Sequence, residues 1–207
     1  MLGLPTATEV NRQLPKTLVY KQFTLTAQQR DRFDVDISRM AIVNVVSPDT
    51  VPALTTGESV KSFYVLAVSL KRKDYDAKNI ALLAKLIPQH LLFALQCGEE
   101  TQLAVFQEKL FTSPWYRTDA IPPFSLSGLN LDSVWENIIT AIGNFSIQGD
   151  NTLKEQIKQD EEQAKLLKRI EMLEKRCRQE KQPRRKAELF EELKKLKSTY
   201  NGKIQTN

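Results

Sequence analysis

Few side chains in this chain have the types and spacing that catalysis or metal binding needs. His90 is the single histidine, and Cys97 and Cys177 are the two cysteines, which is too few for a zinc site of cysteine and histidine ligands. Three aspartates cluster in a predicted helix, at Asp31, Asp34 and Asp36. Because the third follows the first by five residues, they do not share one helix face. We therefore predict no metal, no cofactor and no catalytic residue.

The end of one predicted strand carries a fragment of a nuclease motif. Ser69-Leu70-Lys71 resembles the last half of the PD-(D/E)xK motif of metal-dependent nucleases, and a predicted helix follows it. Cleavage of that kind needs a carboxylate at the Ser69 position and a second one on the preceding strand to hold the cation. The preceding predicted strand, residues 41–46, contains no carboxylate. A divergent metal-dependent nuclease stays an alternative, and the sequence favours a protein that is not an enzyme.

The strongest charge feature is a run of cations in the last quarter of the chain. Residues 1–150 carry a net charge of −1 and residues 151–207 a net charge of +6, within a total of +5. Seven cations fall within twelve residues, at Lys175, Arg176, Arg178, Lys181, Arg184, Arg185 and Lys186. Such a cluster is typical of a surface that binds nucleic-acid phosphates. An acidic protein partner or a solvated helix face are the other interpretations.

The predicted core is a strand–helix–strand segment between residues 62 and 97. Residues 63–70 are apolar at odd and even positions, which is typical of a strand covered on both faces of a sheet. Ile80, Leu83 and Ile87 recur at helical spacing before Pro88 ends the helix. Residues 90–95 form a second apolar run. These elements predict an α+β domain over residues 1–145, with helices packed on a mixed sheet.

The flanking elements are predicted from capping and turn signals. Residues 6–13 predict a short helix that ends at Leu14-Pro15, and residues 17–25 a short strand. Thr26 and Gln29 form a capping box that opens a helix with Phe33 and Ile37 on one face. Residues 101–110 predict a return strand, and the prolines of residues 111–128 an irregular connection. Asp132 is predicted to cap a helix that Gly143-Asn144 ends.

The last quarter of the chain is predicted to form a coiled-coil helical hairpin. Apolar residues follow a 4-3-4 spacing in two arms, at Leu166, Ile170, Leu173 and Cys177 and at Leu189, Leu193, Leu196 and Tyr200. Pro183 is incompatible with one continuous helix, so two antiparallel helices are expected over residues 152–201. Residues 146–151 are predicted to be a linker and residues 202–207 a disordered tail. Pairing of the arms with another chain, which would make a self-associating scaffold, is an alternative.

Several short motifs together resemble a prokaryotic family catalogued as domain of unknown function 4391. They are Leu2-Gly3-Leu4-Pro5, Thr8-Glu9-Val10-Asn11, Leu14-Pro15-Lys16, Asp36-Ile37, Ser47-Pro48-Asp49-Thr50, Ser69-Leu70-Lys71, Ile87-Pro88 with Leu91-Leu92-Phe93, and Gly128-Leu129-Asn130-Leu131-Asp132. The resemblance implies genes that lie beside helicases and DNA methyltransferases in defence-type loci. Relatives carry an acidic residue where this chain has Ser69, which weakens the nuclease hypothesis further.

These observations favour a non-catalytic accessory subunit of a prokaryotic DNA-processing or antiviral defence complex. Its α+β domain is expected to dock a larger helicase- or methyltransferase-type protein, and its basic hairpin to contact DNA or that partner. The N-terminus lacks a basic and apolar signal peptide, and no apolar run approaches the roughly 18–20 residues of a membrane span. A cytoplasmic protein without membrane contact is therefore expected.

Overall fold

The computed structural model describes residues 2–144 and 153–205. The chain divides into two compact units, Met1–Phe145 and Ser146–Asn207. The predicted linker, residues 146–151, lies outside the described residues, as do residues 206–207 at the end of the predicted tail. No helix in the described part of the chain is long and apolar enough to cross a membrane.

The first unit contains both strands and helices. The strands are β1 (Glu9–Gln13), β2 (Ile37–Val46), β3 (Phe63–Leu70), β4 (His90–Cys97), β5 (Glu100–Gln107) and β6 (Lys109–Arg117). The helices are α1 (Lys16–Gln22), α2 (Ala27–Asp36), α3 (Ala77–Leu86) and α4 (Leu131–Gly143). The second unit contains α5 (Leu153–Gln179) and α6 (Pro183–Gln205).

The strands form one mixed sheet in the order β1-β2-β3-β4-β5-β6. Every neighbouring pair is antiparallel except β3 and β4, which are parallel. Parallel neighbours cannot be joined by a hairpin, and α3 supplies the crossover between them. The predicted α+β class with a mixed sheet is confirmed.

Both faces of the central strand β3 are buried, as its apolar pattern predicts. Leu66 clusters with Ile80 and Leu83 of α3 on one face. Phe63 points to the opposite face, because side chains alternate along a strand, and its ring centroid lies 5.5 Å from that of Trp135 in α4. The sheet is therefore covered by α3 on one side and by α4 on the other.

Two of the predicted helix boundaries are confirmed in atomic detail. The hydroxyl of Thr26 accepts the backbone N–H of Gln29, and the side-chain oxygen of Gln29 accepts the backbone N–H of Thr26. Asn144 ends α4 in the left-handed conformation, which asparagine tolerates better than most residues. The helix opened by Thr26 ends at Asp36, however, so Ile37 begins β2 instead of extending the helical face.

The predictions for the N-terminal segment are wrong in two places. Only Thr6–Thr8 is helical, as a single 3-10 turn, and the chain continues as β1 because it pairs with the exposed edge of β2. Residues 17–25, predicted as a strand, begin within α1, which Pro15 precedes. Proline sets the backbone angle that a helix start needs, and burial of Val19 in the core outweighs the weak strand preference of β-branched residues.

The connection predicted to be irregular after residue 110 begins as the edge strand β6. An edge strand tolerates Pro114 because one side of it needs no hydrogen-bond donors. The ladder is interrupted between Gln102 and Ala104, and the hydroxyl of Ser113 accepts the backbone N–H of Leu103 at 2.9 Å. At this irregularity in the ladder, the hydroxyl of Ser113 thus takes the place of a backbone carbonyl as the acceptor for Leu103.

Asp132 does not cap α4, contrary to the prediction. The side chain of Asn130 accepts the backbone N–H of Ser133 at 3.0 Å and is the cap. The carboxylate of Asp132 instead accepts backbone N–H groups of the loop between β2 and β3, from Glu58 at 2.6 Å and Val60 at 2.7 Å, with a longer bond from Ser59. Asp132 therefore holds this loop against the start of α4.

We expect Asp132→Asn to lower the free energy of unfolding by about 1–2 kcal/mol at neutral pH, because the neutral amide is a weaker acceptor for three N–H groups. Burial raises the pKa of Asp132, but the hydrogen bonds from Val60, Glu58 and Ser59 outweigh burial and hold this pKa below its usual value. The stabilisation is therefore present above the unfolded pKa and is lost as the pH falls through the lower folded pKa. Denaturant unfolding from about pH 7 to about pH 3 measures both effects.

Two further variants isolate the carboxylate. Glu58→Gln keeps the backbone donor and should behave as wild type. Gly57→Ala should resemble Asp132→Asn, because a Cβ at Gly57 would overlap the carboxylate of Asp132. Equal stability of wild type and Asp132→Asn at neutral pH would contradict this account.

Candidate functional site

The candidate site is the tip of the helical hairpin in the second unit, so its geometry follows from the packing of α5 and α6. Seven of the eight predicted seam residues form one apolar cluster. They are Ile170, Leu173, Cys177, Leu189, Leu193, Leu196 and Tyr200. Leu166 is half-buried and lies outside this cluster. α6 continues to Gln205, past the predicted end of the hairpin at residue 201.

The two helices run antiparallel. Three residues separate Gln179 from Pro183, so the two helix ends lie at most about 14 Å apart, whereas a helix of 27 residues is about 40 Å long. Ion pairs nevertheless join the helices well away from the turn, Arg169 to Glu192 at 2.9 Å and Lys197 to Glu174 at 2.6 Å. Only a chain that reverses at residues 180–182 satisfies both conditions.

All seven predicted cations lie exposed around this reversal. Two have an acidic partner one turn away on the same helix, Arg178 with Glu174 at 3.4 Å and Arg184 with Glu188 at 3.6 Å. The other five make no ion pair within the described residues. These five are Lys175, Arg176, Lys181, Arg185 and Lys186. The structure thus collects the predicted cations on one solvent-facing tip.

The helix dipoles favour two of the seven tip cations and disfavour three others. Arg176 and Arg178 lie in the last turn of α5, where the negative end of the dipole favours cations. Arg184, Arg185 and Lys186 follow Pro183 at the start of α6, whose first turn holds no acidic residue. The positive end of a dipole disfavours cations there. The stability of the hairpin therefore does not explain the second group.

Glu180 lies within the turn, and its carboxylate accepts hydrogen bonds from the backbone. Its Oε1 accepts the backbone N–H of Gln182 at 2.9 Å. This bond outweighs the effect of burial, and with smaller contributions from the N–H of Lys181 and the charges of Arg185 and Arg176 it holds the pKa of Glu180 below its usual value. Glu180 therefore stays ionised and shapes the turn, while the neighbouring cations face solvent.

The nuclease-like fragment at the end of β3 is built differently from a metal site. Ser69 pairs with Arg39 on β2 and with Gln96 on β4, so its cross-strand neighbours supply a cation and an amide. The ammonium of Lys71 donates to the backbone carbonyl of Asp34 at 2.7 Å. Within the described residues no group of three metal-ligating side chains is present. The cross-strand neighbours of Ser69 therefore supply no carboxylate to hold a cation.

The buried carboxylate near this fragment serves the fold. Asp36 is fully buried. It accepts hydrogen bonds from the guanidinium of Arg72 at 2.6 Å, from the backbone N–H of Asp76 at 2.8 Å and from the amide of Asn79 at 2.8 Å. A buried carboxylate needs such partners, and here they tie the end of α2 to the start of α3.

His90 packs as a structural residue. Its ring meets Trp135 edge to face, with centroids 5.1 Å apart. Burial lowers the pKa of His90, and the charge of Asp132 partly opposes this shift. His90 therefore contributes to the packing of β4 against α4.

Comparison with known proteins places this chain in one family. The sequence model of the family described as Domain of unknown function (DUF4391) matches residues 2–199. The chain belongs to this family. No curated protein and no solved structure matches the chain. The DUF4391 match extends over both units, so the basic hairpin tip lies within the matched residues.

The predicted basic patch ends at Lys186 and so leaves out Phe190 and Lys194, which lie one and two turns further along α6. Phe190 is 60% exposed, and Lys194 is exposed as well. Residues four apart lie on one side of a helix, and Lys186, Phe190 and Lys194 have that spacing. This spacing is present in the sequence, but it indicates a shared helix side only once the second helix is known to include Lys186.

Charge reversal at Arg185 should stabilise the start of α6. Arg185→Glu replaces a cation with an anion in the first turn, which the dipole favours by about 0.3–1 kcal/mol. Hydrogen exchange of the first hydrogen-bonded amides of α6, beginning with Lys186, which donates to the carbonyl of Gln182 at 2.9 Å, should slow by a factor of about 2–5. Lys194→Glu makes the same charge change in the middle of α6 and should leave those amides unaffected. Faster exchange in Arg185→Glu would show that this cation supports the helix.

Proposed function

We propose that this DUF4391 protein is a non-catalytic accessory subunit of a prokaryotic DNA-processing or antiviral defence assembly, and that the hairpin tip binds nucleic-acid phosphates. One observation carries the proposal. Seven cations are exposed at one tip, five of them without an ion pair among the described residues, and three lie where the helix dipole opposes them. The proposed phosphate ligand offsets that unfavourable charge.

Phosphate accounts for the tip better than simple solvation of a helix face does. A solvated face gains from neighbouring acids at i, i+4, but among the described residues only two of the seven tip cations pair with one, Arg178 with Glu174 and Arg184 with Glu188. The start of α6 lacks acids in its first turn. Clustered cations bind phosphates strongly because binding releases the counterions condensed on the nucleic acid. At the start of α6 the positive charge is therefore favourable only when the polyanion is bound.

The contacts of three polar side chains in and around the sheet support the proposal that the protein is not an enzyme. Lys71 is bonded to a backbone carbonyl, His90 is packed on Trp135, and Asp36 is saturated by three donors. A general base or metal ligand has to present a lone pair toward a substrate. The lone pairs of Asp36 are used by donors of the fold, and the ammonium of Lys71 is engaged by a backbone carbonyl, so the proposed work of the protein is binding.

Reversing two charges at the tip tests the nucleic-acid interface. Arg184→Glu/Arg185→Glu should weaken binding to a DNA oligonucleotide on the order of tenfold or more at moderate salt. It should also reduce the slope of log K against log salt by about 2, since each lost phosphate contact removes about one. Fluorescence anisotropy over a salt series measures both quantities.

A matched control separates the tip from net charge. Lys168→Glu/Lys195→Glu reverses two exposed cations away from the tip, which also have no ion pair among the described residues. Both double variants change the net charge from +5 to +1. If both double variants lose the same DNA affinity, the effect comes from net charge and not from the tip. If the tip variant loses no DNA affinity, the proposed interface is wrong.

The proposed protein partner is a larger helicase- or methyltransferase-type subunit docked on the α+β unit. This part of the proposal is drawn from the gene neighbourhood that the family resemblance implies. Affinity purification from a native host after nuclease treatment should recover such a protein with wild type and with Arg184→Glu/Arg185→Glu alike. If the partner is recovered only with intact nucleic acid and the unaltered tip, the two proteins are bridged by nucleic acid and do not dock directly.

A further inference from the structure

Phe190 is an exposed aromatic side chain beside the basic tip. It lies on α6, one turn after Lys186 and one turn before Lys194. The side chain is 60% exposed, while its neighbour Leu189 packs into the apolar cluster between the helices. A phenylalanine at this exposure loses the free energy that burial of its ring would provide. The hairpin itself gives no reason for an aromatic residue here.

The ring of Phe190 is free of the contacts that cover other aromatic rings near cations. Lys73 lies over Trp115 at 5.5 Å, Lys109 over Phe111 at 5.0 Å and Arg30 over Tyr20 at 5.5 Å. Among the residues that the structure describes, no cation and no second ring lies against Phe190. Its face is therefore open to a ligand.

The lysines that flank the ring are also open. Lys186 and Lys194 are exposed, and neither makes an ion pair within residues 153–205. Eight residues of helix place them about 12 Å apart, with the ring between them. A planar apolar face between two cations matches a nucleotide in a strand, whose base stacks while phosphates on either side meet positive charge.

We infer that Phe190 is a stacking platform for an unpaired base, so that the hairpin tip binds single-stranded nucleic acid in preference to duplex. This inference rests on the proposed function, because the same cations bind the phosphates. Bases of a duplex are stacked on each other and present only their edges in the grooves. Their faces are accessible to an aromatic side chain in single strands. Phe190 therefore adds affinity only for the single strand.

A second copy of this chain fits the same surface less well. Two Phe190 rings brought together across a symmetric interface would also bring together Lys186 and Lys194 of both copies. Like charges at the centre of an interface oppose association, whereas phosphates complement them. Charge thus favours a polyanion as the occupant.

Stacking is tested with Phe190→Ala and Phe190→Trp, measured against an unstructured oligothymidine and a duplex of the same length at one salt concentration. Phe190→Ala should weaken single-strand binding about tenfold and change duplex binding less than twofold. Phe190→Trp should restore single-strand binding. Met172→Ala, which truncates another exposed apolar side chain of the hairpin, should leave both affinities unchanged.

The outcomes separate this inference from the proposed function. If wild type binds neither nucleic acid, the proposed function fails and the stacking inference with it. If wild type binds both and Phe190→Ala weakens neither, or weakens both equally, the stacking inference alone is overturned. Solution mass is measured for every variant, and a dimer that becomes a monomer in Phe190→Ala would assign the ring to self-association and overturn the inference.

Discussion

The parallel pairing of β3 with β4 is the constraint on which the α+β unit depends. Parallel neighbours require a crossover, and α3 provides it by covering one face of the sheet. β3 is apolar on both faces, so burial of Phe63 against Trp135 also requires α4 on the other side. Asp36 and Asp132 then attach the remaining segments, one at the end of α2 and the other at the loop before β3. The polar groups of this unit are largely used to hold it together.

The helical hairpin has the opposite balance, because its core is narrow and its charges are exposed. Among the described residues, the apolar cluster of the seam and two interhelical ion pairs hold α5 and α6 together, and exposed ion pairs contribute little free energy. A structure with so small a core gains nothing from cations at the start of α6, which the helix dipole disfavours. Their presence there is the clearest conflict between local stability and sequence in the described residues. Such conflicts are expected at functional sites.

The proposed binding role rests on the geometry alone. The chain belongs to DUF4391, a family described as a domain of unknown function, and this membership assigns no activity. In the α+β unit, the side chains that resemble parts of a nuclease are bonded into the fold, and Ser69 has Arg39 and Gln96 as cross-strand neighbours. At the hairpin tip the chemistry is available to solvent. This distribution is the basis of our proposal that the protein acts by holding a ligand or partner in place.

The sequence by itself determined the elements whose signals are local. The apolar pattern of β3, the capping box at Thr26 and the break at Pro183 each depend on residues a few positions apart, so their structures follow from sequence. The seven tip cations were predictable for the same reason. Only the tertiary structure decided that residues 17–22 are helical, that β6 forms an edge strand, and that Asp132 binds a loop more than seventy residues away. Those outcomes depend on packing and hydrogen bonds between distant segments, which local propensity does not encode.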